Sequence, residues 1–134
     1  MAEAQSSPLP SLGETSEWVG HAVDDVGGAA VGQVHGFFVD AGGGGPTWLI
    51  VRQGRLRGTL VAVPLRDCAG GGGRVWVAHA TGTIRSAPVV DPSRPLLREH
   101  ELTICGHYGI GERVGRAGEV AGRPAGSVTS QPAP

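Results

Sequence analysis

Between Ala30 and Leu65 the chain reads AVGQVHGFFVDAGGGGPTWLIVRQGRLRGTLVAVPL. Three runs rich in Val, Ile and aromatic residues alternate with Gly-dense connections, the pattern of antiparallel strands. The connections AGGGGP (41–46) and QGRLRG (53–58) are too short for a parallel crossover, so each closes a hairpin. The strongest constraint is that these strands are apolar on both sides. In TWLIVR (47–52), Trp48 and Ile50 point one way while Leu49 and Val51 point the other. LVAVPL (60–65) repeats the habit, and in 30–40 Val31, Gln33, His35, Phe37 and Val39 oppose Val34, Phe38 and Asp40. A single antiparallel layer leaves one face wet. Two apolar faces imply a closed or strongly curled sheet whose outside is also covered, by a helix or by a second chain.

The flanking sequence extends this pattern. A short strand is expected near 18–24, followed by the turn signal Asp24-Asp25-Val26-Gly27-Gly28. RVWVAH (74–79) and TIRSAPVV (83–90) read as further strands, the second ending in Asp91-Pro92-Ser93-Arg94-Pro95. From Pro95, helical spacing places Leu97, Ile104 and Tyr108 on one stripe with Cys105 beside them, and Gly109 marks the end. The expected fold is mainly β: a small antiparallel β-barrel of about six strands with a short C-terminal helix and disordered termini. The domain spans 17–110. Residues 1–16 and 111–134, rich in Gly, Pro, Ala and Ser, bury too little apolar surface to offset the entropy of ordering.

Composition narrows the function classes. The 134-residue chain carries a net charge of −1, and all 11 of its basic residues are Arg, so no overall pull toward polyanions is expected. The N-terminus lacks the basic and apolar regions of a signal peptide, and no apolar run is long enough to span a bilayer, which points to the cytoplasm. Cys68 and Cys105 permit one disulfide, but nothing in their contexts calls for it.

Candidate chemistry is sparse. Cys105 and His107 resemble part of a zinc site, yet on a helix they project about 200° apart, and His100 lies about 10 Å from His107 along the axis. The Gly runs 42–45 and 70–73 lack the Lys and hydroxyl of a phosphate loop, and Gly109–Gly115 misses the dinucleotide spacing by one residue. Asp24, Asp25, Asp40 and Asp67 fall at turns or strand ends, and no nucleophile elbow is present. The sequence therefore suggests no metal, no cofactor, no small-molecule substrate and no enzyme; a pocket combining Asp40, His35 and another titratable group would reopen the last. Arg52, Arg55 and Arg57 form a basic hairpin near Trp48, the minimum for contacting single-stranded RNA.

The chain resembles the PRC-barrel family. The resemblance is carried by Trp18-Val19-Gly20 with Val23 and Gly27, by Val31-Gly32-Gln33-Val34 leading to Phe38-Val39-Asp40, and by Trp48-Leu49-Ile50-Val51. Val63-Pro64-Leu65, Ile84, Pro88 and the closing His107-Tyr108-Gly109 extend it over about 18–109. The resemblance implies a compact β-barrel used for protein–protein contact, with no catalytic or ligand residues to carry over. The leading expectation is a non-catalytic adaptor that self-associates as a homodimer, anchored by Trp48 and Ile50 or else by Leu49 and Val51. The alternative is an RNA- or ribosome-associated accessory factor using Arg52, Arg55 and Arg57.

Overall fold

The computed structural model describes residues 11–54, 58–110 and 120–125. In chain order the elements are α1 (Leu12–Ser16), β1 (Ala22–Asp25), β2 (Ala30–Asp40), β3 (Pro46–Gln53), β4 (Thr59–Pro64) and a 3-10 turn at Leu65–Asp67. There follow β5 (Cys68–Gly71), β6 (Arg74–Val77), α2 (Thr81–Arg85), β7 (Leu96–Leu97), α3 (Arg98–Tyr108) and β8 (Val120–Pro124).

Among the described residues all strands join one eight-stranded sheet in the order β4-β3-β2-β1-β6-β5, with β8 bridging β2 and β7. The fold is mainly β, as expected, but the sheet is mixed: β1 runs parallel to β6, with Ala22 opposite Arg74 and Asp25 opposite Val77. The expectation of a purely antiparallel, closed sheet is corrected on both counts, because no described pairing joins β4 to β5. Those two end strands are consecutive in the chain and linked by the Leu65–Asp67 turn, so the sheet curls back on itself.

Cross-strand register defines two faces, since directly paired residues point the same way. The inner face carries Val23, Val75 and Val77 on β1 and β6, then Val34 and Phe37 on β2, Leu49 and Val51 on β3, and Val61 and Val63 on β4, all buried. The outer face divides in two. Over β5, β6 and β1 it is polar and small, whereas Phe38, Trp48, Ile50 and Ala62 make its other half apolar and no more than 1% exposed. Helix α3 covers that half, with Glu101 Oε2 accepting the indole N–H of Trp48 at 2.8 Å. Of the two covers that the sequence allows, the chain supplies the helix itself.

Several local expectations are corrected. Strand β2 does not alternate cleanly: the irregularity between Val34 and Gly36 puts Val34 and Phe37, expected on opposite sides, on one face, opposite Val51 and Leu49, with Phe38 on the other. The strand expected at 18–24 is confined to Ala22–Asp25. Residues 83–90 form no strand; Thr81–Arg85 is helical because Asp25 Oδ2 accepts the Thr81 N–H and hydroxyl at 3.2 and 2.8 Å, and only Val89 bridges Val61. Helix α3 begins after Leu97, which belongs to β7 and is 49% exposed; Glu101 takes the expected place of Leu97 on the buried stripe beside Ile104, Cys105 and Tyr108. Gly109, at φ 69°, ends the helix as expected.

Both flanks expected to be disordered contribute to the fold. Ser11 and Glu14 form a reciprocal capping box that starts α1, and Thr15 is fully buried. From the other flank, β8 pairs Pro124 with Phe38 and Gly122 with Leu96. No helix among the described residues is long and apolar enough to cross a membrane.

Candidate functional site

The four side chains expected to anchor a partner are interior. Trp48, Leu49 and Val51 are 0% exposed and Ile50 is 1% exposed within one subunit. Trp48 and Ile50 lie under α3, and Leu49 and Val51 line the inside of the curl. A surface role for these four is therefore corrected: sequence periodicity detects two buried faces, but not which element buries the second.

The exposed apolar surface lies elsewhere. The segment after Pro88 runs into β7 and, together with Phe38 and with His100 of α3, lines a groove of about 490 Å³. Its floor is Phe38, Val90 and Leu96, all nearly or fully buried, and its flanks are Val89 and Leu97, 59% and 49% exposed. Opposite charges stand on the rim. Asp91 Oδ1 accepts the Ser93 N–H and hydroxyl at 2.9 and 2.7 Å, and the hydroxyl bond, followed by the backbone bond, holds its carboxyl below the usual range. The backbone N–H of Arg94 donates to the Asp91 carbonyl at 3.3 Å, while its guanidinium makes no hydrogen bond or ion pair among the described residues, Asp91 being its electrostatic neighbour. His100 contributes an imidazole from the first turns of α3. This volume falls within the range of ligand pockets, but an open apolar trough with a mixed-charge rim suits a polypeptide surface best.

Titratable side chains cluster where the Leu65–Asp67 turn, the end of β6 and the last turn of α3 meet. His79 Nε2 and Asp67 Oδ2 lie 2.7 Å apart, and the His79 and Tyr108 rings are 4.7 Å apart. His107 stands edge-on to the other side of Tyr108 at 5.1 Å, its Nε2 donating to the Thr83 carbonyl at 2.7 Å. Tyr108 donates its hydroxyl to the Ala62 carbonyl at 2.8 Å, and Cys68 Sγ donates to the Pro64 carbonyl at 3.4 Å. Burial pushes the Cys68 thiol well up, with the Asp67 charge adding to it. Burial likewise raises the Tyr108 hydroxyl, followed by the effect of Cys68. An Asp–His pair beside a thiol has the membership of a nucleophilic triad, but here burial keeps the thiol protonated and its hydrogen bond is spent on the backbone. The cluster ties α3 to the sheet.

Other expected residues are dispersed. His107 is held on Thr83, Cys105 is 3% exposed, and no disulfide joins Cys105 to Cys68. No group of three or more His, Cys, Asp and Glu able to hold a metal ion occurs among the described residues. Arg52 is half-buried on the outer face opposite Gln33; Arg55 and Arg57 lie outside the described residues. Sequence reasoning missed Val89, Asp91, Arg94 and His100. The available signal was the Pro88, Pro92 and Pro95 spacing, which excludes a regular strand and marks a long surface crossing. Compared with known proteins, the chain matches no family model and no curated sequence.

Proposed function

We propose that the chain is a non-catalytic, self-associating interaction module of the PRC-barrel type, acting in the cytoplasm. The curl supports the barrel reading: its apolar inner face runs from β4 round to β6, and its two end strands are joined by one 3-10 turn. The cytoplasmic setting fits two cysteines not joined in a disulfide. The observation that carries the function is the groove flanked by the exposed Val89 and Leu97, with Asp91 and Arg94 on one rim.

Its occupant is a second copy of the chain. A twofold axis brings each patch onto its own image, so an isologous contact needs a patch that complements itself. Asp91 and Arg94 meet that need, the carboxylate of one copy facing the guanidinium of the other at both ends, while Val89 and Leu97 bury each other between them. Sedimentation velocity of the full chain across the micromolar range tests this. A concentration-dependent dimer is expected, lost on Leu97→Asp and on Asp91→Arg or Arg94→Asp alone, and restored when the two charge variants are mixed. A strictly monomeric chain, or a dimer indifferent to all three substitutions, overturns the reading.

A further inference from the structure

β5 lies last in the strand order, and its Ala69, Gly70 and Gly71 are exposed. The Asp67 carbonyl accepts the Ala78 N–H at 2.9 Å, so these two residues continue the β5–β6 register as a hydrogen-bonded pair. Bonding alternates from there: Ala69 and Gly71 turn their main-chain groups to β6, and Cys68 and Gly70 turn theirs away. The Cys68 N–H is taken by the Leu65 carbonyl. The N–H and carbonyl of Gly70 and the carbonyl of Cys68 have no partner among the described residues. Sheets guard such an edge with Lys, Pro, a bulge or an inward charge, and Cys68-Ala69-Gly70-Gly71 carries none of these. An indole stands on each face of this edge. On the inner face the Trp18 ring lies so close that a Cβ on Gly70 would come within 2.6 Å of it. On the outer face Trp76, 39% exposed, is paired with Ala69, and its ring leans over Gly71, where a Cβ would stand 3.9 Å from Cζ3. Ala69 and Gly71 bring at most one methyl group, so no side chain of β5 screens the Trp76 indole from the open side.

We infer that β5 is a docking edge for an extended segment of a partner protein, which adds a strand to the sheet and lays an apolar side chain on Trp76. The main-chain groups fix the conformation of the occupant. A donor and an acceptor on Gly70, with a second acceptor two residues away on Cys68, are met together by a β-strand. The side chains fix its chemistry. Strands lie about 4.8 Å apart, so the occupant's backbone runs about 9.6 Å from that of β6, with only Ala69 and Gly71 between them. A large apolar residue spans that gap to the indole, as aromatic side chains cover glycines on neighbouring strands. A second copy of the chain does not meet this requirement. Its own β5, paired about a twofold axis at Gly70, would set Ala69 against Gly71 and leave both Trp76 rings bare. The occupant is therefore a foreign segment with Leu, Ile, Val or Phe at alternate positions and no Pro within it. Because the Trp18 ring closes the space beneath Gly70, the intervening residues are short. The groove at Val89 and Leu97 is lined by none of these residues, so the two surfaces are independent.

Four end-blocked peptides Lys-Thr-Val-Thr-X-Thr-Val-Thr-Lys, with X as Phe, Leu, Ile or Val, test the assignment when titrated into the isotope-labelled full chain. Amide spectra should shift at Ala69, Gly70 and Gly71 and at the Trp76 indole N–H, and exchange of the Gly70 amide proton should slow by about tenfold at saturation. Trp76→Ala should lower affinity by about tenfold, the worth of an aromatic contact. Ala69→Lys, which sets a charged side chain between the occupant and the indole, should weaken binding at least as much. Both residues are exposed, and unchanged circular dichroism and melting temperature of each variant show that the fold is kept. Pro at X and at the Thr residues beside it removes the peptide's donors on both of its edges and should abolish binding. Failure of all four peptides at millimolar concentration, shifts centred away from β5 and β6, or affinities indifferent to both substitutions overturn the inference. Self-association of the peptide-free chain that Ala69→Lys abolishes also overturns it, because it gives the edge to a second copy. Val89→Asp, which acts at the groove, should leave peptide binding as it is; loss of binding there would move the peptide to the groove and overturn the assignment to β5.

Discussion

Asp25 receives four hydrogen bonds at the corner between β1 and β2. Oδ1 accepts the N–H groups of Gly27 and Ala29, both at 2.9 Å, and Oδ2 takes the N–H and hydroxyl of Thr81. These bonds, led by that of Ala29 and then by the Thr81 hydroxyl, hold its carboxyl below the ordinary value of 3.8. A depressed folded-state value means that the stabilisation is fully present above the unfolded-state value and is lost as pH falls through the folded one. Asp25→Asn should therefore melt at a lower temperature than the parent at neutral pH, and the gap should close as pH is brought below the ordinary Asp range. Melting curves across that range check it; a gap constant with pH argues against an ionised Asp25. The sequence marks Asp25 as a turn residue, which accounts for Oδ1, but the partner of Oδ2 lies 56 residues away and leaves no local trace. Trp48 teaches the same lesson. Its apolar neighbours announce burial, while its bond to Glu101, 53 positions on, is invisible in the strand pattern. Trp48→Phe keeps the ring packing but removes that donor, and should cost about 1–3 kcal/mol in urea unfolding. An unchanged midpoint would show that Glu101 contributes nothing through this contact.

Elements were legible where their pattern is local. The hairpins of β2, β3 and β4 follow from alternating apolar residues and short Gly-rich connections, and the end of α3 follows from Gly109. Elements defined by distant partners were not legible. β8 has the composition VAGRP, with no apolar run to mark it, and is a strand because the β2 edge at Phe38–Asp40 offers it hydrogen bonds. α1 is five residues long and depends on its capping box rather than on helix propensity. Truncation before Val120 should thus destabilise the domain by about 2–4 kcal/mol, a few backbone hydrogen bonds at about 1 kcal/mol each together with the cover over Phe38. Denaturant unfolding of the shortened chain measures this, and equal stability of both forms would make β8 an ornament of the sheet. At Gly70 the fit works the other way: a Cβ there would come within 2.6 Å of the Trp18 ring, so Gly70→Val should expel that indole and raise its solvent exposure, read by fluorescence quenching.

For the molecule as a whole, the chain's near-zero net charge conceals two surfaces of different character. The groove proposed as the dimer contact is apolar with Asp91 and Arg94 on its rim, whereas the outer face at β6 and β1 exposes Trp76 and the Arg74–Asp24 pair. Added salt should weaken the proposed dimer only modestly, since apolar burial carries most of the contact, and sedimentation velocity at low and high salt checks this. The pairing of β1 with β6 has a kinetic consequence as well. β2, β3 and β4 can zip up between near neighbours, but Ala22–Asp25 must wait for Arg74–Val77 to arrive from the far side of the domain. The expected order has the β2–β4 meander formed at the rate-limiting barrier and the parallel seam completed after it. In stopped-flow refolding, Val51→Ala should slow the forward reaction, while Val75→Ala should leave it nearly untouched and hasten only the return to the unfolded chain.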